Sequence, residues 1–380
     1  RSNSQVRRLF RMSALGKRDK AHRPDYLNRS LMKIRAKQPA VLDFSELDLT
    51  VPEEERECSE PEIGFACAID YPSGLLGEIA HYVFSSAVRP IHEAGIAAAM
   101  GLMAGIAGRA YNVSGIGLNQ YIVLLAGTGT GKEGMASGID RLISASRETT
   151  PMADLFLGPA IFASGQALLK ILPERPCFVS ILGEIGLTLQ QICSPRANNA
   201  EKMLLKVLLE IYNKSGRTDL LKSMNYSDAT KNTLPVYGPN VTILGESTPG
   251  AFFDGLGVQH IMEGLIPRFS ILEYRGKRPP RNKQAFMSPH PHLVEKINAL
   301  MFSSMSIQQN NQTANVLFSA DAERKMDEFD KAVDDKINNS EDEIEKELWS
   351  RAHVKAMKLA ALLAIGHNIH APFKKKKDAE

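Results

Sequence analysis

The sequence predicts an α/β protein with a mostly parallel sheet that helices cover on both sides. From Gln120 onward, short and continuously apolar runs alternate with segments of helical periodicity. Strands that are apolar on both faces are typical of buried parallel sheets. One of these runs, Tyr121 to Leu125, leads directly into a glycine-rich turn and a lysine. That order of strand, turn and helix is typical of phosphate-binding folds.

The composition indicates a folded protein of more than one domain. The chain has 380 residues, of which 43% are hydrophobic and 23% charged, so we expect two or three globular domains. The longest apolar run, 94–108, is too short for a membrane span, and Gly101 and Gly105 within it predict tight helix packing. We therefore expect no membrane partner. The four cysteines have neither zinc-ligand spacing nor a disulfide framework, which indicates a reducing cytosol.

The charge pattern divides the chain into regions. Residues 1–37 hold 12 Lys or Arg and two Asp, and residues 43–63 are acidic. We therefore expect 1–70 to be a basic arm with an acidic linker, the arm being either a solvated tail or a segment that meets nucleic acid. The other expected regions are N-terminal helices at 71–119, the core at 120–280, and a linker with an all-helical lid at 281–380.

The core elements follow in order from local signals. Ser164 is a candidate N-cap for a helix that ends at Ile171, and Asn199–Tyr212 carries its apolar residues on one helical face. A further helix is expected from the glycine-rich turn to about Ser146. The apolar runs predict strands at 121–125, 177–182, 241–244 and 269–274.

The segment from Ala126 to Glu133, Ala-Gly-Thr-Gly-Thr-Gly-Lys-Glu, has the form of a nucleotide phosphate-binding loop. In such loops backbone N–H groups surround the β-phosphate and a lysine reaches the β- and γ-phosphates. Ala126 replaces the usual first glycine, and Glu133 replaces the Ser or Thr that holds magnesium. A plain tight turn is the alternative. The candidate nucleotide-binding residues are Gly127, Thr128, Gly129, Thr130, Gly131, Lys132 and Glu133.

A carboxylate follows the second apolar run and is a candidate for catalysis. An ATPase needs such a group beside the loop to polarise water toward the γ-phosphate, and Glu184 has this position. Gly183 replaces the Asp that usually positions magnesium. Glu133 and Glu184 are therefore the candidate Mg²⁺ ligands, with Glu133 compensating for the missing groups. The alternative is a weakened or inactive ATPase.

Polar residues near two later strands are further catalytic candidates. Ser247 and Thr248 follow an apolar strand, where a hydroxyl can contact the γ-phosphate or the attacking water. Their alternative role is turn formation. Arg268 precedes the next strand, and in ring ATPases an arginine at this place stabilises transition-state charge in the neighbouring subunit. A surface ion pair is the alternative for Arg268.

The order of these features resembles the AAA+ ATPases, and most closely the phage- and prophage-encoded P-loop family related to superfamily 3 helicases and poxvirus-type primase-helicases. The resemblance covers about residues 70–367. It implies a three-layer P-loop NTPase core, with Arg351 as a second sensor arginine in the lid. Its markers are Gly-Thr-Gly-Thr-Gly-Lys132-Glu, Ile-Leu-Gly-Glu184, Ser-Thr-Pro249 and Gly-Leu-Ile-Pro-Arg268-Phe.

The resemblance also implies a function, namely an ATP- and Mg²⁺-dependent DNA helicase or translocase of a phage or mobile-element replication system. Its expected partners are single-stranded DNA, copies of itself in a hexameric ring, and a primase domain or protein, in the cytoplasm of a bacterial host. Such helicases thread DNA past basic loops that lie between the acid strand and the sensor strand. The alternative to a DNA-binding loop is a loop that is merely solvated. The alternative function for the whole chain is a nucleotide-binding scaffold with little or no hydrolysis. The candidate DNA contacts are Lys214, Arg217, Lys222 and Lys231, with Tyr226 for base stacking.

Overall fold

A four-stranded parallel sheet lies at the centre of the protein. The structure is a computed structural model that describes residues 71–254, 261, 264–310 and 312–369. The predicted arm and linker at 1–70 lie outside the described residues. In chain order the strands are β1 (Tyr111–Val113), β2 (Ile116–Gly117), β3 (Tyr121–Leu125), β4 (Cys177–Leu182), β5 (Leu220–Leu221), β6 (Val236–Tyr237), β7 (Asn240–Ser247), β8 (Phe269–Glu273) and β9 (Ala314–Val316).

The strands of the central sheet are arranged in the order β4-β7-β3-β8, and each neighbouring pair is parallel. All five residues of β3 are buried, as its continuous apolar sequence predicts. After β3 the chain moves two places to β4, returns to β7, and then crosses β3 to reach β8. Connections therefore turn to opposite sides of the sheet next to β3, and open α/β sheets bind ligands at the carboxyl ends of strands at such points.

Helices cover both faces of the sheet, which confirms the predicted α/β fold class. In chain order the helices are α1 (Leu75–Ser86), α2 (His92–Ala107), α3 (Gly134–Ser146), α4 (Gly165–Ile171), α5 (Ile185–Ile192), α6 (Asn199–Asn213), α7 (Pro249–Phe253), α8 (Pro291–Gln309), α9 (Ala320–Asn339), α10 (Glu343–Trp349) and α11 (Ala352–His367). One apolar core lies between the sheet and helices α1, α2, α3, α8 and α11. A second apolar core lies between the sheet and helices α4 to α7. In the described part of the chain, no helix is long and apolar enough to cross a membrane.

Helix α2 packs closely on the sheet through two glycines. A Cβ atom at Gly101 would lie 2.9 Å from Cδ2 of Leu244, and one at Gly105 would lie 2.7 Å from Cβ of Val179. Both distances are shorter than a van der Waals contact, so any larger residue would push the helix away from β7 and β4. The two glycines therefore serve the tight packing that their spacing predicts.

The C-terminal region differs from the predicted all-helical lid. It contains β9, which pairs in parallel with β1, while β1 pairs antiparallel with β2. The last helix, α11, contributes to the same apolar core as α1 and α2, because Met357, Ala361, Leu362 and Ile365 are buried at helical spacing. The helices at both ends of the described chain thus form one layer beneath the sheet.

Candidate functional site

The predicted phosphate-binding loop, residues 126–133, joins the carboxyl end of β3 to α3. Gly129 and Gly131 have φ angles of 68° and 117°, which residues with side chains rarely adopt. A Cβ atom at Gly131 would also overlap the carbonyl oxygen of Arg89. The N–H of Ala126 donates to the carbonyl of Ser247 at 3.1 Å, so the start of the loop is joined to the end of β7. The loop therefore requires glycine at two of the predicted positions.

Replacing Gly131 with alanine is expected to destabilise the protein by about 2 kcal/mol or more. The φ angle at this position is unfavourable for alanine, and the new Cβ atom would overlap the carbonyl oxygen of Arg89. Gly127→Ala is the matched control, since the nearest atom to its Cβ would be Cγ2 of Thr130 at 3.4 Å. Urea unfolding of both variants measures the difference. Equal stability of the two variants would contradict the described loop conformation.

The polar groups of the loop lie close to the surface. The hydroxyl of Thr130 donates to the carbonyl of Gly127 at 2.7 Å, whereas Thr128 and Glu133 are exposed. Glu133 is the N-cap residue of α3. Arg278 donates from Nε to the carbonyl of Gly129 at 2.8 Å. The sequence interpretation missed this arginine, since it lies in a basic, proline-rich segment that has the composition of a linker.

Lys132 and Glu184 form the central ion pair of the candidate site. Lys132 Nζ donates to Glu184 Oε1 at 2.6 Å. Lys132 is only 7% exposed, whereas the side chain of Glu184 is 50% exposed. Glu184 follows β4 with a φ of 48°, in the left-handed region that is uncommon for residues other than glycine. Because β7 lies between β3 and β4, Glu184 reaches Lys132 from a strand that is not a direct neighbour of β3.

Glu246 is a residue of this site that the sequence interpretation missed. It is half-buried near the carboxyl end of β7, where it pairs with Leu124 of β3. Burial raises the pKa of its carboxyl, the charge of Lys132 opposes that shift, and the carboxylates of Glu133 and Glu184 add to it. These four charged groups therefore interact in one place. The signal was present in the sequence, because a period of two puts Glu246 and Ser247 on opposite faces of the strand.

Ser247 and Thr248 have structural contacts that differ from the predicted phosphate contacts. Ser247 is fully buried, and a Cβ atom at Gly186 of α5 would overlap its hydroxyl. The Thr248 hydroxyl accepts the N–H of Ala251 at 3.3 Å and caps α7. The geometry thus supports the turn-forming alternative for Thr248. The hydroxyl of Ser247 is buried below the protein surface and not exposed at the loop.

Arg268 lies at the edge of the sheet opposite the loop. It immediately precedes Phe269, which pairs with Tyr121 at the amino end of β3, and a five-residue strand spans roughly 13 Å. Arg268 is buried, and it donates to the carbonyl of Gly264 in its own chain. Its Cζ lies 5.7 Å from the ring centre of Tyr212. The surface ion pair that was the alternative for Arg268 is therefore not what the structure shows.

Arg351 belongs to a cluster of cations around Tyr212. Burial lowers the pKa of Arg268, and the charge of Arg351 adds to that shift. Lys358 is fully buried, and its Nζ donates to Asn119 Oδ1 at 2.7 Å and lies 4.2 Å from the Tyr212 ring centre. Burial, followed by the charges of Arg351 and Arg268, lowers the pKa of Lys358 to about 7. This placement argues against a contact between Arg351 and a nucleotide bound at Lys132 of the same chain.

The candidate DNA-binding residues lie in and around a β-hairpin. Strands β5 and β6 pair antiparallel, and the chain enters β7 directly after β6, so the hairpin emerges at the amino edge of the sheet. Arg217, Lys222 and Lys231 are exposed and Lys214 is half-buried. Lys231 Nζ lies 3.5 Å from Asp228 Oδ2. The four basic residues thus all lie on the segment that joins α6 to β7.

The candidate magnesium ligands are two accessible carboxylates. Among the described residues, no group of three His, Cys, Asp or Glu could hold a metal ion. Magnesium, however, is usually bound by one or two carboxylates together with substrate phosphates and water. Glu133 is exposed and Glu184 half-exposed, and both interact electrostatically with Glu246. Their oxygens fit the ligand type that magnesium prefers.

Comparisons with known proteins assign no family to this geometry. No protein-family model matches the chain. No curated protein matches it, and no solved structure matches it.

Proposed function

We propose that the protein is an ATPase of the P-loop type that acts on single-stranded DNA. One observation carries the proposal: a buried lysine in a loop with two left-handed glycines meets a carboxylate from another strand, at the carboxyl edge of a parallel sheet. A buried cation in a glycine-rich loop, ahead of a helix N-terminus, fits a phosphate group. A plain tight turn has no need of a buried lysine.

Within this proposal each part of the loop has a role. The backbone of Gly127 to Gly131 surrounds the phosphates, and Lys132 neutralises the β- and γ-phosphates. Glu133 and Glu184 hold Mg²⁺, which screens phosphate charge during transfer. Arg278, already joined to the loop through Gly129, adds a second cation next to the phosphates.

The hairpin supports the DNA part of the proposal. Arg217, Lys222 and Lys231 are exposed. In sequence they lie between the acid strand β4 and the strand β7, which is where the resemblance places the pore loops of ring helicases. A homo-oligomeric ring would bring several hairpins around one DNA strand. In such a ring Arg268 would act on the neighbouring subunit's nucleotide, for which its side chain has to leave the Gly264 carbonyl.

A nucleotide-binding scaffold with little hydrolysis is the second candidate function. The observation that favours it is the ion pair itself, because Glu184 is bound to Lys132 rather than free to polarise water. Gly183 offers no further carboxylate. The two candidates differ in coupling, since only a translocase links nucleotide state to DNA affinity.

Steady-state hydrolysis of ATP with Mg²⁺, measured with and without single-stranded DNA, tests the proposal. A translocase should show turnover that DNA stimulates, and ATP should tighten DNA binding. ATP binding without turnover, and without an effect on DNA affinity, would support the scaffold. A chain that binds no nucleotide would contradict both candidates.

The double variant Arg217→Ala/Lys222→Ala is expected to weaken binding of single-stranded DNA. Each lost phosphate contact lowers the slope of log affinity against log salt by about 0.7 for single strands, so the double variant should lose about 1.4. Fluorescence anisotropy of a labelled oligothymidylate at several salt concentrations measures this slope. Lys325→Ala/Lys331→Ala, which removes two exposed lysines of α9, is the control and should keep the parent slope. An unchanged slope in the hairpin variant would contradict its DNA role.

A further inference from the structure

The carboxyl group of Glu246 is placed at the start of the phosphate-binding loop. Its strand, β7, is the direct neighbour of β3, and Glu246 pairs with Leu124. The next residue, Ser247, accepts the N–H of Ala126, the first residue of the loop, at 3.1 Å. Glu246 therefore stands on a strand that directly neighbours the loop strand β3, whereas Glu184 reaches the loop from one strand farther away.

The two carboxylates also differ in what holds them. Glu184 Oε1 accepts the amine of Lys132 at 2.6 Å. Glu246 Oε2 is buried and has no hydrogen-bond partner among the described residues. A buried carboxylate oxygen without a donor is costly, and a catalytic role is one explanation for such a group. Glu246 thus has a buried acceptor atom that no described donor uses.

We propose that Glu246 is the general base of the ATPase reaction, and that Glu184 is the counter-ion of Lys132. The inference rests on the proposed function. The oxygen of a water molecule forms a bond to the γ-phosphorus while the bond from that phosphorus to the β–γ bridging oxygen breaks. The bridging electron pair leaves with ADP, and the proton of the water passes to the Glu246 carboxylate and then to solvent.

The environment of Glu246 suits this step. A general base needs a free lone pair within reach of the water, and it works best when its pKa approaches the working pH. Burial shifts the Glu246 pKa in that direction, and the carboxylates of Glu133 and Glu184 add to the shift. Glu184 is engaged by Lys132, so its role before nucleotide binds is to neutralise the buried amine. The phosphates of ATP take over that neutralisation when they bind.

The variants Glu246→Gln and Glu184→Gln separate these roles. Glu246→Gln is expected to lower kcat by about 10² to 10⁴-fold, with an ATP Kd within about threefold of the parent value. The loss should persist at every Mg²⁺ concentration. Glu184→Gln should instead raise the Mg²⁺ concentration needed, with a smaller loss of kcat at saturating Mg²⁺. In EDTA it should tighten ATP binding about two- to fivefold, because the phosphates no longer displace a carboxylate from Lys132.

Three outcomes in the variants overturn the inference. The first is a kcat of Glu246→Gln near the parent value. The second is recovery of the kcat of Glu246→Gln at high Mg²⁺. The third is a loss of kcat in Glu184→Gln, at saturating Mg²⁺, as large as the loss in Glu246→Gln. Glu246→Asp, which keeps a carboxylate, is the second variant and should have a kcat above that of Glu246→Gln. A parent protein that binds ATP but does not hydrolyse it also overturns the inference. A parent that binds no ATP contradicts the proposed function itself.

Discussion

ATP turnover is expected to fall by about a hundredfold or more when Lys132 is replaced by alanine, because the proposed ATPase then loses the cation that would contact the transferred phosphate. Lys132 is 7% exposed, and a charge acts more strongly in such a low-dielectric site than in water. The measurement is kcat/KM for ATP with Mg²⁺, which reports the lost transition-state stabilisation. We also expect weaker ATP binding, since the ground-state phosphates contact the same amine.

The lost turnover should not come from unfolding. The side chain of Glu184 is half-exposed, so its pair with Lys132 contributes no more than about 1 kcal/mol to stability. Urea unfolding of Lys132→Ala should therefore resemble that of the parent. Lys331→Ala, at an exposed lysine of α9, should keep full activity. A folded Lys132→Ala protein with parent turnover would show that this loop is not the catalytic site.

The free energy of unfolding is expected to rise with pH between about 7 and 10, and Lys358→Met should remove most of that rise. The pKa of Lys358 is about 7 in the folded protein against an ordinary 10.5. Below pH 7 both states bind the proton, so the cost of burying the charge is fully present. Between these pKa values the unfolded chain binds one proton more than the folded protein, which stabilises the fold by up to about 1.4 kcal/mol per pH unit.

Urea unfolding of the parent and of Lys358→Met at several pH values from 6 to 10 measures this difference in slope. The difference isolates Lys358, because the other titrating groups are common to both proteins. Lys331→Met removes an exposed lysine and should leave the parent slope unchanged. Parallel curves for the parent and Lys358→Met would show that Lys358 stays charged in the folded protein, held by Asn119 and Tyr212.

The sequence predicts the local elements well where one strong signal decides them. The strands at 121–125 and 177–182 have the predicted bounds because their residues are continuously apolar. Ser164 caps its helix by accepting the N–H of Ala167, and α6 extends one residue beyond its predicted end at Tyr212. In the site, the glycines and Lys132 were recognisable because this type of loop is contiguous in sequence.

The parts that the sequence interpretation missed depend on contacts between distant segments. Nothing near Arg278 indicates that it reaches Gly129, 149 positions away. Lys358 appears in the sequence as one lysine of a largely apolar helix, and only the packing of α11 shows that it is buried beside Arg268 and Arg351. The ion pair of Glu184 with Lys132 also depends on the order of strands in the sheet. The sequence does not reveal that order, in which β7 lies between β3 and β4.

The strand β7 also joins the two candidate sites, the phosphate-binding loop and the basic hairpin. Its last residues contact the loop, and its first residue, Asn240, donates to the carbonyl of Ser215 at 2.9 Å and accepts the N–H of Asn119 at 3.0 Å. A strand of eight residues is about 23 Å long, so β7 is one continuous element between the loop and the base of the hairpin, along which the two ends can be coupled. Mechanical coupling of this kind needs no hinge and no rotation of one domain against another.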